Sequence, residues 1–342
     1  MKHIVFDCDC TFGVRNCDVD DGLALLYLLG APDADLLGVT ATYGNNRIEV
    51  VMDTLRRMRA ELGRRDLPLH QGGACAGAYD SDAARFLAET AACCHGALSI
   101  LATGSLTNLY GAYLHDSSFF SHVREIVLMG GITAPLLFEK KEMEELNFSC
   151  DPLASLNVLC RGKHVSVMTG NNCLSVLFQK KEYMERLFVP GSRIGAYIRE
   201  QSDDWFRYNE EDYGIGGFYN WDACAAAYLM QPSLFTDHWQ SFSLTEEALC
   251  RGFLQKAEEA ETEMEAEVGM EAGMKTGAET ENTPPQNLCA ERKDAADRLR
   301  PDRHTDRLRA NCRLNLPEIS APEAFKNSLY ETWLRVPMPG IS

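Results

Sequence analysis

Asp7, Asp9, Asp18, Asp20 and Asp21 put five carboxylates within fifteen residues of one another, close to the N-terminus. Carboxylates crowded together repel: at ~4 Å a like pair costs about 4 kcal/mol at an effective dielectric of 20. Either the five spread over a solvated loop, or they converge and something positive holds them. Apolar residues on both flanks, Ile4-Val-Phe6 before and Leu23-Ala-Leu-Leu26 after, favour convergence. Hard oxygen donors of this kind select calcium or magnesium, and calcium tolerates a flexible shell of about 6–8 oxygens.

Other segments carry polar groups that such a cluster can recruit. Asn220-Trp221-Asp222-Ala223 opens an apolar run that ends near Met230. An Asp at a helix start is by itself a cap. Beside a carboxylate cluster on another strand it becomes a candidate metal ligand, and Trp221 is either core or a stacking surface for a planar ring. Val127-Leu-Met129-Gly-Gly131 precedes Glu144-Glu145-Leu-Asn147 and Asp151-Pro152. Paired glycines permit close approach of backbone or ligand, and an extended chain presents Glu145 and Asn147 to the same side. Thr42-Tyr-Gly-Asn45 and Ala102-Thr103-Gly-Ser-Leu-Thr107-Asn108 read as polar turns directly after strands.

The elements that must position these residues alternate. Ile4-Val5-Phe6 reads as a strand ending at Asp7; Asp20-Asp21 begins a helix that stops at Gly30; Leu36 to Thr42 reads as the next strand. The pattern predicts helices over 46–62, 82–94, 106–114, 152–160, 178–187, 190–202 and 221–230. It predicts strands over Leu67–Leu69, Ala97–Ala102, Glu125–Met129 and His164–Met168. Repeated β–α alternation implies an α/β fold, a mainly parallel central sheet flanked by helices with a Rossmann-like core. Ligands in such sheets sit at the C-terminal ends of the strands, where every candidate above falls.

From Leu254 to Glu323 the chain has no Phe, Tyr or Trp, and Glu258 to Glu281 is acidic. Such a segment buries too little apolar surface to offset its ordering entropy. The expected organisation is one α/β domain over 1–255, a disordered charged insertion over 256–310, and a strand and helix over 311–342 completing the same domain. The insertion then interrupts a hairpin between strands near 248–254 and 312–316.

The formal net charge of the 342 residues is −17, which disfavours nucleic acid and anionic membrane as partners. The N-terminus lacks an apolar run of signal-peptide length and no stretch of 18 apolar residues occurs, so a cytoplasmic protein is expected. Thirteen cysteines form no disulfide framework and read as reduced thiols. No GxxxxGK[ST] loop, no GxGxxG after the first strand and no GxSxG elbow occurs, which weighs against an NTPase, a dinucleotide oxidoreductase and an α/β-hydrolase.

Taken together, these segments resemble the inosine–uridine preferring nucleoside hydrolases. Those begin with a strand ending in Asp-x-Asp, then Asp-Asp before an apolar helix, here Asp7-Cys-Asp9 and Asp20-Asp21-Gly-Leu-Ala-Leu. Thr42-Tyr-Gly-Asn45, Ala102-Thr103-Gly-Ser-Leu-Thr-Asn108, Leu128-Met129-Gly-Gly131, Glu145-Leu-Asn147 with Asp151-Pro152, and Trp221-Asp222-Ala223 follow in matching order. The resemblance implies an N-ribohydrolase that cuts ribonucleosides into ribose and base, with Ca2+ as cofactor and a homodimer or homotetramer as its assembly. Residue by residue, it implies Asp9 as calcium ligand and general base on the attacking water. It implies Asp21, Asp222 and the Thr103 carbonyl as further ligands. Asp20, Asn45, Glu145 and Asn147 would hold ribose hydroxyls, Met129 would line the sugar pocket, and Trp221 would meet the base.

Two departures stand out. The turn between the Asp pairs, Cys10 to Asp18, is longer than the family's, so either Asp9 or Asp18 fits the base position; Asp9 ends the strand directly and is preferred. Trp221 occupies the position where many members carry a histidine that protonates the leaving base, which leaves the acid unassigned. The opening Ile-Val-Phe-Asp7-Cys-Asp9-Cys-Thr11 also resembles haloacid-dehalogenase-type, magnesium-dependent phosphatases, although that explains neither Asp20-Asp21 nor Trp221-Asp222. A non-catalytic nucleoside or ribose binder is the third reading.

Overall fold

The computed structural model describes residues 1–257 and 310–339. Eight strands form one twisted sheet: β1 (Lys2–Cys8), β2 (Ala34–Ala41), β3 (Leu69–Gln71), β4 (Leu98–Ala102), β5 (Val123–Met129), β6 (Val165–Met168), β7 (Trp239–Leu244) and β8 (Ala310–Asn315). Their order is β7-β8-β6-β5-β4-β1-β2-β3. All neighbours run parallel except the β7–β8 pair at one edge. β1 lies between β2 and β4, with Asp7 level with Thr40 on one side and Ala102 on the other. The winding direction reverses at β1, and the loops leaving β1 and β4 part to open a crevice above their C-terminal ends.

Alternation along β1 explains the two-sided core. Ile4 and Phe6 enter one apolar cluster and Val5 the other. The first cluster gathers helices α1 (Asp20–Gly30), α2 (Ile48–Glu61), α6 (Arg193–Tyr208), α7 (Trp221–Met230) and α8 (Pro322–Leu334). The second gathers α3 (Asp82–Cys94), α4 (Thr107–His115) and α5 (Pro152–Arg161). α8 closes the first face. Trp333 is fully buried, its indole N–H donates to the Leu23 carbonyl at 2.9 Å, and its ring meets Tyr330, Tyr183 and Phe178.

Most expected elements stand where the pattern put them. The helix expected over 178–187 begins as a short strand, Leu177–Gln179, paired with Gly217–Tyr219. The helix expected over 190–202 starts at Arg193, where the Ser192 side chain accepts from the Gly195 N–H, and runs on to Tyr208. The expected strand near 248–254 is a correction. Thr245 caps a helical turn, Glu246–Leu249, and the arm that pairs with β8 is β7. The expected insertion falls outside the described residues except at its edges: Lys256 bridges Phe242, the Ala257 N–H donates to Ser241, and Ala310 opens β8. All twelve cysteines among the described residues are free, and Cys8 and Cys10 sit in the core, where the Cys10 thiol meets Met58 Sδ at 3.7 Å. No helix among the described residues is long and apolar enough to cross a membrane.

Truncating a large side chain in a core this well filled leaves a cavity and an orphaned carbonyl. Trp333→Ala is expected to lower stability by about 3–5 kcal/mol, measured as a shift in the urea midpoint at unchanged slope.

Candidate active site

Three chain segments deliver carboxylates to the crevice. Asp7 lies near the end of β1 and Asp9 directly follows the strand, both fully buried. α1 begins with Asp20 and Asp21, 2 % and 1 % exposed, and the Asp18 carboxylate accepts from the Val19 and Asp20 N–H groups at 2.6 and 3.2 Å. α7 contributes Asp222 at its second position, 3 % exposed. Asp222 does not cap its helix. Its N–H donates to Asp20 Oδ2 at 3.2 Å, so the N-termini of α1 and α7 both point their positive ends at the same carboxylates.

Asp20, Asp21 and Asp222 each offer an oxygen within 4.8 Å of the other two. The family resemblance implies Asp9, Asp21 and Asp222 as one ligand set and Asp20 as a sugar contact. In the structure Asp20 belongs to the tight trio, and Asp9 stands behind it against Asp21. Asp9 is held by Asn45, whose N–H donates to Oδ2 at 2.7 Å and whose side-chain amide donates to Oδ1 at 3.2 Å. Gly44 is required there, because a Cβ would lie 1.9 Å from Asp9 Oδ2. Thr103, directly after β4, donates its hydroxyl to Asp21 Oδ1 at 2.7 Å and its N–H to the Asp7 carbonyl at 2.9 Å.

The electrostatics are those of a cup short of positive charge. Burial pushes Asp9 up to about 6, against the hydrogen bonds that it accepts. Burial, then the charges of Asp9 and Asp20, raise Asp21 well above the carboxylate range; burial, then Asp20 and Asp21, do the same to Asp222. Asp21 Oδ2 is buried and has no hydrogen-bond partner among the described residues. Clustered hard oxygens, one of them orphaned, fit a divalent cation with oxygen preference.

Asp7 supports this cup from beneath. Its Oδ1 accepts from the Thr40 hydroxyl at 2.5 Å and the Asn108 amide at 2.8 Å, and burial lifts it to about 7. Asn108 also donates to the Ala41 carbonyl at 3.0 Å and accepts from the Gly73 N–H at 3.0 Å, tying β1, β2 and α4 together.

A cavity of about 500 Å³ opens beside the cup. Asp18, Asp20, Asn45, Thr103, Met129, Glu145, Asn147, Trp221 and Asp222 line it, whereas Asp9 and Asp21 lie behind that wall. Asn147 bridges two strand ends, its amide donating to the carbonyls of Thr103 and Met129, both at 3.0 Å. Glu145 turns back on its own loop and accepts from the N–H groups of Gly131, Phe148 and Ser149 at 3.0, 2.8 and 2.9 Å. Asp151 is structural, capping α5 and accepting from the Thr107 hydroxyl at 2.8 Å.

The family model for inosine-uridine preferring nucleoside hydrolases matches residues 4–298. The chain belongs to that family. Nucleoside hydrolase relatives include a probable uridine nucleosidase 2 from Arabidopsis thaliana, 25% identical over 69% of this chain and 79% of that protein. Another is the pyrimidine-specific ribonucleoside hydrolase RihA of Citrobacter koseri, 26% identical over 68% of this chain and 80% of that protein. Among solved structures, a plant nucleoside hydrolase, PpNRh1, matches with a TM-score of 0.74 at 19% identity, over 97% of this chain and 99% of its own. A purine-preferring ribonucleoside hydrolase from Gardnerella vaginalis matches with a TM-score of 0.72 at 19% identity, over 98% and 99%. Membership makes this chain a nucleoside-hydrolysing enzyme and supports neither the phosphatase nor the non-catalytic reading.

Sequence reasoning missed Asn108, which read only as part of a turn, and the aromatic wall formed by Trp205 and Tyr213. A Trp on the apolar face of a long helix carries no signal separating core from cavity. The Lys- and Glu-rich stretch from Ala134 to Met143 supplies an outer wall of this nucleoside hydrolase's cavity.

A ligand that binds only the native state stabilises it by mass action, about 2.7 kcal/mol at a hundred times Kd. Saturating divalent cation is expected to raise the melting temperature of the chelator-treated protein, and Asp21→Ala to abolish that rise, read by thermal denaturation.

Proposed function

We propose that this chain hydrolyses the N-glycosidic bond of ribonucleosides at the carboxylate cup, with calcium as the resident ion and Asp9 as general base. The observation that carries this reading is the buried trio Asp20, Asp21 and Asp222 drawn from α1 and α7, with an unpartnered Asp21 oxygen and Asp9 immediately behind. Calcium suits oxygen-only donors, and Asp9, Asp21, Asp222 and the Thr103 carbonyl are the proposed ligands, with Asp20 close enough to share the shell. When bound, that ion would orient the ribose diol and acidify a water.

The remaining work falls to the chain. Asp9, held by both amides of Asn45, takes the proton of the attacking water; a base is most effective near its operating pH, and burial moves Asp9 in that direction. Asp20 and Asn147 face the cavity and meet the ribose hydroxyls. Asn45 and Glu145 are proposed sugar contacts too, each with part of its hydrogen-bonding capacity already committed to the protein. Met129 packs on the sugar and Trp221 on the base. As the bond to the base lengthens, C1′ gains positive charge, and carboxylates fixed in advance around the ring stabilise it.

Asp9→Asn keeps the shape and removes the base. It is expected to lower kcat by at least about a thousandfold, at the upper end for a general base combined with a metal ligand, while the protein still melts cooperatively. Activity within tenfold of the parent in a reducing-sugar assay would transfer the role to another carboxylate, Asp18 first.

A further inference from the structure

The Glu145 carboxylate is pinned. Oε1 accepts from the Gly131 and Phe148 N–H groups and Oε2 from the Ser149 N–H, while the Ser149 hydroxyl donates to the Glu145 carbonyl at 2.6 Å. Fixed backbone donors thus set where this charge stands beside the cavity. Those donors need support of their own, and the segment packed against them comes from far along the chain.

That segment is the turn after Thr245. The Thr245 side chain accepts from the Ala248 N–H and starts a helical turn, Glu246–Leu249. Two nested hydrogen bonds close it: the Phe253 N–H donates to the Ala248 carbonyl at 3.1 Å, and the Gly252 N–H to the Leu249 carbonyl at 2.9 Å. Such a closure places one residue in the left-handed region, and Gly252 has φ +67°. The chain then meets the loop after β5. The Ile132 N–H donates to the Gly252 carbonyl at 2.8 Å, and the Leu254 N–H donates to the Ile132 carbonyl at 2.9 Å. The turn therefore grips the backbone one residue beyond Gly131, whose N–H reaches Glu145.

Gly252 is buried and meets the carboxylate as well. A Cβ on it would lie 2.2 Å from Glu145 Oε2 and 2.4 Å from both Cδ and Cγ, and these are the nearest atoms that it would meet. A side-chain end can ordinarily swing clear of such a clash. Here swinging clear means abandoning backbone donors that would be left unpaired, which is costly. A side chain at 252 therefore moves Glu145 or unseats the turn.

We infer that Gly252 is a positioning residue of the sugar side of the cavity. It acts through Glu145 in two ways: it leaves room for the carboxylate, and through Ile132 it holds the backbone that donates to it. The inference rests on the contact proposed above between Glu145 and the ribose, and it adds the support that fixes that contact.

The test is a double-mutant cycle between Gly252 and Glu145 in the full chain with calcium. Ribose release is measured from whichever of inosine, guanosine, uridine and cytidine the parent cleaves fastest. Gly252→Ala is expected to raise KM about tenfold and leave kcat within about threefold, the pattern of lost ground-state binding. Glu145→Ala is expected to raise KM at least as much. In the Glu145→Ala background, Gly252→Ala is expected to change KM by less than about twofold, since the carboxylate that it displaces is gone. A left-handed alanine strains the turn in either background, so a merely structural role gives equal effects in both. Gly252→Asn tolerates the left-handed backbone, carries the same Cβ and is expected to repeat the result. A KM within about twofold of the parent in both Gly252 variants, or an equal rise with and without Glu145, would overturn the inference and leave the sugar contact standing. Parental KM in Glu145→Ala would overturn the sugar contact and the inference together, with hydrolysis standing. No ribose from any nucleoside would overturn the proposed hydrolysis as well.

Discussion

Packing carboxylates of one sign out of water is the costly act on which this structure is organised. Asp7, Asp9, Asp20, Asp21 and Asp222 are all buried, and burial raises every one of them. A fold tolerates this only where partners offset the repulsion. Partial compensation is visible: two amides on Asp9, a hydroxyl on Asp21, a hydroxyl and an amide on Asp7, and the α7 N–H on Asp20. Among the described residues the compensation does not reach Asp7 Oδ2 beneath the cup or Asp21 Oδ2 within it, and neither has a partner. A dication beside Asp21 Oδ2 would convert the mutual repulsion of the cup into shared attraction.

The sheet topology makes the convergence feasible for residues more than two hundred positions apart. β1 sits where the winding reverses, so loops after β1, β2, β4 and β5 all open onto one crevice. α1 and α7 end there by their N-termini, which places acidic side chains where backbone N–H groups point outward. Asn108 and Asn147 then lock strand ends to one another. Strand ends and helix starts thus carry the cup, and that suits a site in which small displacements are costly.

Much of this was legible in the sequence, because the relevant signals are local. A strand that stops at an aspartate, a paired-Asp helix start and a second helix beginning Trp-Asp each advertise themselves by residue type and neighbour. What the sequence could not carry was which oxygen faces which. Asp20 and Asp9 are both acidic and both close to Asp21, and only the path of the backbone decides which joins Asp222. Glu145 and Asn147 line the cavity, and the paired glycines at Gly130-Gly131 let the Glu145 carboxylate fold back onto backbone N–H groups. Thr245 likewise diverted an apolar run from strand to helical turn. The aromatic wall was least legible of all, since core and cavity rings share the same periodicity.

Trp221 opens α7 directly beside Asp222, so the residue proposed to meet the base and a carboxylate of the cup leave the same helix start. Trp205 of α6 and the 136–143 hairpin line the same cavity. The central claim concerns the cup, and a crystal structure grown with calcium, phased or checked by its anomalous signal, tests it most directly. The account predicts one ion per chain, about 2.3–2.6 Å from oxygens of Asp9, Asp21 and Asp222 and the Thr103 carbonyl. A cup without ion density at saturating calcium, or an ion bound away from Asp21 and Asp222, would contradict it.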